Sequence, residues 1–501
     1  MQNYQVKLGV VLSYILIICN ALYGVFITPY MIRSLGEAEF GVFKTISSLG
    51  SSLMVLDLGI GGTVLRYVAM YRAKKEDDKI PNFVAMSLIQ AISICVIVFG
   101  VSIFVLANIN NIYGESFSAV QLKKAHQLFE ILMLNICLHI IENVINGVMT
   151  GYNDFITANG TKLVRLLLRG TLIVLLLKLY HDSLIVVSVD LALTIATLLF
   201  ELIYIRVHLA LKIRFAHWDS FLFKEAGVYT FLMFLTSICA QVNNNLDNII
   251  IGATKGPSLV TVYSIGLLIF SMYENLSTAI SGVMLPTVTN ILNGKDAKNN
   301  MIKTIIKVGR VQFLLLGASI IGFACLGRDF IQLWLGDGFD DVYIISLLLM
   351  CPALFELCVN VCLSILRAKR MLGFRTFVLF STTAMNAIIT YFIVKYWSYI
   401  GAAIGTGFSF ITGSIIVMNI YYYKKLGLPM IKIYSKILGK LWICMLMAGA
   451  AVYFSSSILS RNWSGFVANV LVFCLVYMSA LWFVGLTKEE KQSVPILKKL
   501  A

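Results

Sequence analysis

The side chains with the most capacity for chemistry are polar groups set inside long apolar runs. Asn135, His139, Glu142 and Asn146 recur at i, i+4, i+7 and i+11, the period that places them on one face of a helix. Gln241, Asn244, Asn245 and Asn248 share a second face with Asp247 beside them, and Glu356, Asn360 and Arg367 share a third. Charge at the centre of a bilayer costs at least roughly 2.5–3.5 kcal/mol, so each such group calls for a reason. Amides and carboxylates on one stripe suit hydrogen bonds to hydroxyls, or the passage of an ion. They also suit helix-to-helix hydrogen bonds, at about 0.6 kcal/mol each. Three stripes together point to the wall of a hydrated cavity between lobes. Asn20 and Asp190, standing singly, read as interhelical hydrogen bonds.

Four arginines add a second chemistry. Arg66 follows Asp57, Gly59, Gly61 and Gly62, a run that invites a kinked or unwound backbone. Arg165 and Arg169 stand one turn apart, and Arg310 lies in a later apolar run. A guanidinium offers two parallel donors that match phosphate oxygens. Its other use at such positions is to snorkel to the cytoplasmic surface. His139 is either a proton carrier or a hydrogen-bonded structural histidine.

The elements that hold these groups follow from composition. Of 501 residues, 59% are hydrophobic and 13% charged, against about 25% charged in soluble chains. Lipid must therefore solvate the protein. The net charge of +15 reads as Lys and Arg in cytoplasmic loops, not as a nucleic-acid surface. Fourteen spans are expected, at 8–32, 41–71, 82–107, 118–150, 161–180, 184–207, 227–253, 258–291, 303–327, 341–366, 374–395, 398–422, 436–457 and 465–486. Loops near 72–79, 162–165, 206–224, 295–307, 367–375 and 424–440 hold roughly three times the Lys and Arg of the opposite set, which places both termini in the cytoplasm. In 208–226, Leu211, Phe215, Trp218 and Leu222 alternate with Lys212, Arg214 and Lys224, a pattern that fits an interfacial amphipathic helix.

A repeat runs through the chain. Glu142, Ile145, Asn146 and Thr150 match Glu356, Val359, Asn360 and Ser364, and Gly41, Val42 and Phe43 resemble Thr261, Val262 and Tyr263. Internal symmetry is common in transporter folds. The expected architecture is an all-α polytopic membrane protein: a six-helix lobe at 1–207, a linker at 208–226, a second six-helix lobe at 227–428, and two further helices at 429–501. The ten cysteines form no CxxC pair, so neither a metal nor another cofactor is expected. There is no P-loop and no hydrolase motif, and nothing points to an enzyme.

Residues 34–43, Leu56 through Gly61 to Arg66 and Tyr67, Asp247 with Gly252, 326–336, and 401–406 resemble the polysaccharide or lipid-linked oligosaccharide flippase family. That family belongs to the multidrug/oligosaccharidyl-lipid/polysaccharide exporter superfamily, built of two six-helix lobes with optional extra spans. The resemblance implies translocation of an undecaprenyl-pyrophosphate-linked oligosaccharide from the cytoplasmic to the outer leaflet of a bacterial inner membrane. It implies alternating access by rocking lobes, with H⁺ or Na⁺ as a coupling ion or with consumption of the product as the driving force. Its partners would be the lipid-linked glycan, membrane lipids and other polysaccharide-assembly membrane proteins. The alternatives are a multidrug cation antiporter, a lipid II flippase and, more remotely, a membrane polymerase or ligase.

Overall fold

A computed structural model of the chain describes residues 2–57, 59–216, 241, 245–281, 284–292, 296–369, 371–459, 461–487 and 490–491. The described residues contain helices and no β-strand. By their contacts they fall into two units, Met1–Ser264 with Tyr391–Tyr399, and Ile265–Thr390 with Ile400–Ala501.

The first unit contains α1 (Gln2–Leu35), α2 (Glu37–Leu53), α3 (Ile60–Lys74), α4 (Ile80–Tyr113), α5 (Ala119–Gly151), α6 (Phe155–Tyr180) and α7 (Ser183–Val207). Helix starts are written locally. Ser118 and Gln121 form a reciprocal capping box on α5, while Asp154 and Asp182 accept from the first turns of α6 and α7. Such caps satisfy donors that a helix leaves open at its N-terminus. The kink expected near residues 57–62 is present. α2 ends at Leu53, a 3₁₀ turn spans Met54–Asp57, and Gly59 adopts φ +69° before α3 begins, a conformation that costs glycine little.

The unit's core is formed by Val64, Val68, Val84, Val98, Ile140 and Val148, among others. Small residues let α3 and α5 meet backbone to backbone. A Cβ on Gly147 would lie 2.5 Å from the Gly61 carbonyl oxygen, and one on Gly151 would lie 2.8 Å from Val68. Gly147→Val is therefore expected to force the two helices apart and destabilise the protein by about 1–3 kcal/mol. Thermal unfolding in detergent checks this, and an unchanged midpoint would refute the tight contact.

The second unit continues α8 (Pro257–Ser281), whose first turns belong to the first unit, and adds α9 (Met284–Leu292), α10 (Ala297–Leu335), α11 (Asp340–Cys358), α12 (Val361–Ala368) and α13 (Leu372–Tyr396). Then come α14 (Gly401–Ser409), a π-helical stretch at Phe410–Val417, α15 (Met418–Leu426), α16 (Met430–Leu438), α17 (Leu441–Ser456) and α18 (Trp463–Ala480). α11 carries Pro352, and a turn at Val359 and Asn360 separates it from α12.

Among the described residues eleven helices are long and apolar enough to cross a membrane, or twelve if α16 and α17, bent by 41°, form one span. Large apolar side chains such as Phe26, Val96, Phe104, Leu475 and Met478 point outward, as lipid-facing residues should. The chain is an all-α, multi-pass membrane protein. Two of the fourteen expected spans are not in that set. The stretch 227–253 lies largely outside the described residues, and α6 forms as a helix but carries Lys162, Arg165, Arg169 and Lys178. The amphipathic helix expected over 208–226 is corrected in its first part. Residues 208–216 are non-helical, with Ala210 at φ +50° and the Ala216 N–H donating to Asn82 Oδ1 at 2.8 Å. Burial of Leu211 in the first unit draws this stretch inward; residues 217–226 lie outside the described set.

Candidate polar wall

The stripe on α5 meets α6 and α7. On α6, Lys162, Arg165 and Arg169 follow at three- and four-residue steps, while Val164, Leu167, Leu168 and Leu175 point outward. A helix so divided turns its charged edge toward the neighbouring helices. Arg165 donates from Nη1 to both oxygens of Glu142, at 3.0 Å each, and from Nη2 to the Thr194 hydroxyl. That hydroxyl lies 2.6 Å from Asn135 Oδ1. Thr197 adds a contact of 3.3 Å to Glu142 Oε1. One turn along α6, Arg169 holds both oxygens of Asp190, from Nε at 2.5 Å and Nη2 at 2.9 Å. Its guanidinium also stands 5.0 Å from the ring centroid of Tyr23 on α1.

Below this, Lys162 donates to Asn146 Oδ1 at 3.2 Å, and Asn146 hydrogen-bonds Glu201 of α7. Glu201 is only 1% exposed; it ends a stripe on α7 formed with Asp190, Thr194 and Thr197 at i, i+4, i+7 and i+11, which reading Asp190 singly overlooks. Two cations are thus paired with carboxylates, Arg165 with Glu142 and Arg169 with Asp190, while Lys162 and Glu201 both bond Asn146. Ion pairing of this kind is the usual way to hold charge inside a membrane. His139 lies on the same stripe, and its Nδ1 is buried with no hydrogen-bond partner among the described residues.

The other expected residues are placed separately. Gln241 Oε1 accepts from Asn245 at 3.1 Å, Asn248 donates to Ser48 Oγ at 3.0 Å, and the Tyr263 hydroxyl donates to Asp247. Asp247 and Asn248 are buried within the first unit, and Asn244 lies outside the described residues. Arg66 and Arg367 are exposed, and Asn20 donates to the Leu16 carbonyl of its own helix at 2.9 Å.

In the second unit, Glu356 stands 3.9 Å from Arg375 of α13, and Ser414 hydrogen-bonds its carboxylate. The π-helical stretch presents Ser414 there; such stretches recur at functional sites. Asn360 donates to Ser281 Oγ at 3.2 Å. These groups line a cavity with about 20 Å³ of room for a water centre, enough for roughly one water. The repeated glutamates therefore share a feature that the motif does not contain: each pairs with an arginine on a later helix, Glu142 with Arg165 and Glu356 with Arg375.

Arg310 is 8% exposed and is built into a clamp. It donates to Glu490 at 2.6 and 3.0 Å, to the Lys436 carbonyl at 3.1 Å and to the Gly485 carbonyl at 3.0 Å. Burial alone would raise the pKa of Glu490, but hydrogen bonds from Arg310 and Thr487 hold it below the ordinary glutamate value. A lowered folded-state pKa gives stability above the unfolded value that is lost as pH falls through the folded one. Glu490→Gln should therefore lower the unfolding midpoint at neutral pH, with the gap to wild type closing in acid. A gap independent of pH would contradict the clamp.

A multi-helix membrane protein with a charge-paired polar wall is the class that fold and site define. The chain belongs to the family described as polysaccharide biosynthesis proteins, whose model matches residues 7–292. A Shigella flexneri protein named "Putative O-antigen transporter" is 22% identical over 398 residues, 78% of this chain and 92% of that one. A Haloferax volcanii protein named "Probable flippase AglR" is 28% identical over 179 residues, 35% of this chain and 37% of that one. Among solved structures, the lipid II flippase MurJ in an inward closed conformation aligns with TM-score 0.70 and 16% identity, over 95% of this chain and 99% of that one. An inward-facing multidrug resistance MATE family transporter aligns with TM-score 0.59 and 17% identity, over 81% of this chain and 95% of that one. At these identities the two structures report on fold alone: the chain has the fold of MurJ and MATE proteins.

Proposed function

We propose that the chain is a flippase that moves an undecaprenyl-pyrophosphate-linked oligosaccharide from the cytoplasmic to the outer leaflet of a bacterial inner membrane, by alternating access. One observation carries this reading. Arg165 and Arg169 stand one turn apart on α6 within a wall of amides and hydroxyls, and neither side chain is sealed, at 20% and 27% exposure. Guanidinium groups recognise the oxygens of a diphosphate, and Asn135, Asn146 and Thr194 offer hydrogen bonds to sugar hydroxyls. The family and the names of the two relatives support the same reading. Coupling to H⁺ or Na⁺, or consumption of the flipped glycan, would supply the drive, and both termini would lie in the cytoplasm.

A multidrug cation antiporter would need acidic groups left for its substrate, whereas Glu142 and Asp190 are each held by an arginine. Removing the gene from its host should make the lipid-linked glycan build up in the cytoplasmic leaflet, with the wild-type chain restoring surface polysaccharide. Unchanged surface polysaccharide in the deletion strain would overturn the proposal.

A further inference from the structure

We infer that Asp190 and Glu142 are placeholders for the diphosphate, so that substrate binding at Arg169 and Arg165 is an exchange of carboxylate oxygens for phosphate oxygens. This rests on the proposed function and adds two acidic positioning residues to it.

The geometry of the pairs supports exchange. Arg169 offers Nε and Nη2 side by side to the two oxygens of Asp190, the same paired-donor edge that phosphate takes. Arg165 reaches both oxygens of Glu142 from Nη1 alone, with Nη2 on the Thr194 hydroxyl. Both pairs remain partly open, with 27% and 19% of the side chains exposed for Arg169 and Asp190, and 20% and 11% for Arg165 and Glu142. The clamp at Arg310 shows what a fixed pair looks like in this protein. The Arg310 side chain is 10% exposed, and two backbone carbonyls that also accept from it hold the guanidinium in place.

An acceptor group must also find a partner once it leaves. The Tyr23 hydroxyl is buried, has no hydrogen-bond partner among the described residues, and belongs to the ring that Arg169 stands over. A buried hydroxyl without a partner is costly, and a carboxylate released from Arg169 would satisfy it. Thr197 already touches Glu142 and would retain that carboxylate when Arg165 turns to the ligand. The acids therefore compete with the substrate for the guanidinium groups and help to expel it after translocation. Removing a competing charge should tighten binding and slow release.

The test uses the full chain in phosphatidylcholine nanodiscs, titrated with inorganic pyrophosphate and with a short polyprenyl diphosphate. Asp190→Asn should bind both about tenfold more tightly than wild type or better, bind through Arg169, and transport more slowly. Arg169→Ala should lose binding. Equal or weaker binding by Asp190→Asn, with Arg169→Ala still losing it, overturns the exchange and leaves the flippase reading intact. Wild-type binding by Arg169→Ala overturns both. If phosphatidylglycerol in the nanodisc displaces the ligand as well as pyrophosphate does, the exchange partner is phospholipid phosphate and the assignment to substrate fails. Should Asp190→Asn not fold, infrared difference spectra of the wild type replace it. Adding pyrophosphate must shift the carboxylate bands, with no shift in Arg169→Ala, and an unchanged wild-type spectrum refutes the exchange.

Discussion

Arg169→Ala is expected to lower export of the lipid-linked glycan about 10- to 100-fold while the protein still folds and inserts. The charge-assisted contact to the diphosphate vanishes with the guanidinium, and one such hydrogen bond contributes roughly 1.5–3 kcal/mol, or that factor in affinity. The variant also leaves Asp190 without its partner. The double variant Arg169→Gln/Asp190→Asn, which leaves no stranded charge, separates lost recognition from lost stability. Surface polysaccharide measures export, and the amount of membrane-embedded protein measures folding. Full export by Arg169→Ala, or equal export by Arg169→Glu, would remove this residue from the binding of the diphosphate.

Glu142→Ala is expected to have the largest effect on stability. It strands Arg165 among Thr194, Asn135 and the core of α5 and α7. Removing one partner of a buried pair costs about 3–5 kcal/mol, whereas replacing both with apolar groups is often neutral. With the pair 20% and 11% exposed, the lower end applies. Glu142→Leu/Arg165→Leu should then recover most of the unfolding midpoint in detergent and none of the transport. A double variant as unstable as the single one would mean that the pair is not the unit that holds these helices. Recovered transport would mean that Arg165 has no role in binding.

Much of this wall is legible in the sequence because helical period is a strong signal. Asn135, His139, Glu142 and Asn146 fall on one edge of α5, and the arginines of α6 fall one turn apart. Pairing is not legible, because it depends on which helices lie side by side. Asp190, read singly as an interhelical hydrogen bond, is the partner of Arg169, 21 residues away on the next helix. Glu201 is within reach of the same signal, since Asp190, Thr194, Thr197 and Glu201 recur at i, i+4, i+7 and i+11 on α7, but two threonines between two acids make a weaker stripe than a run of amides. Arg310 looks like Arg165 in sequence, each following a lysine by three residues at the edge of an apolar run. Its partner, Glu490, lies 180 residues away near the C-terminus, a distance over which periodicity carries no information. The glycine run after Asp57 foretells its kink, because backbone freedom is a local property.

The most direct test of the central claim is translocation by the purified chain. Proteoliposomes holding the protein and an undecaprenyl-diphosphate oligosaccharide placed in one leaflet should show protein-dependent arrival of the glycan in the other leaflet, read by a membrane-impermeant glycosidase. Arg169→Ala in the same vesicles should slow that arrival by the same ~10- to 100-fold expected for export. Equal arrival in protein-containing and empty liposomes, under an imposed H⁺ or Na⁺ gradient as well as without one, would contradict the account.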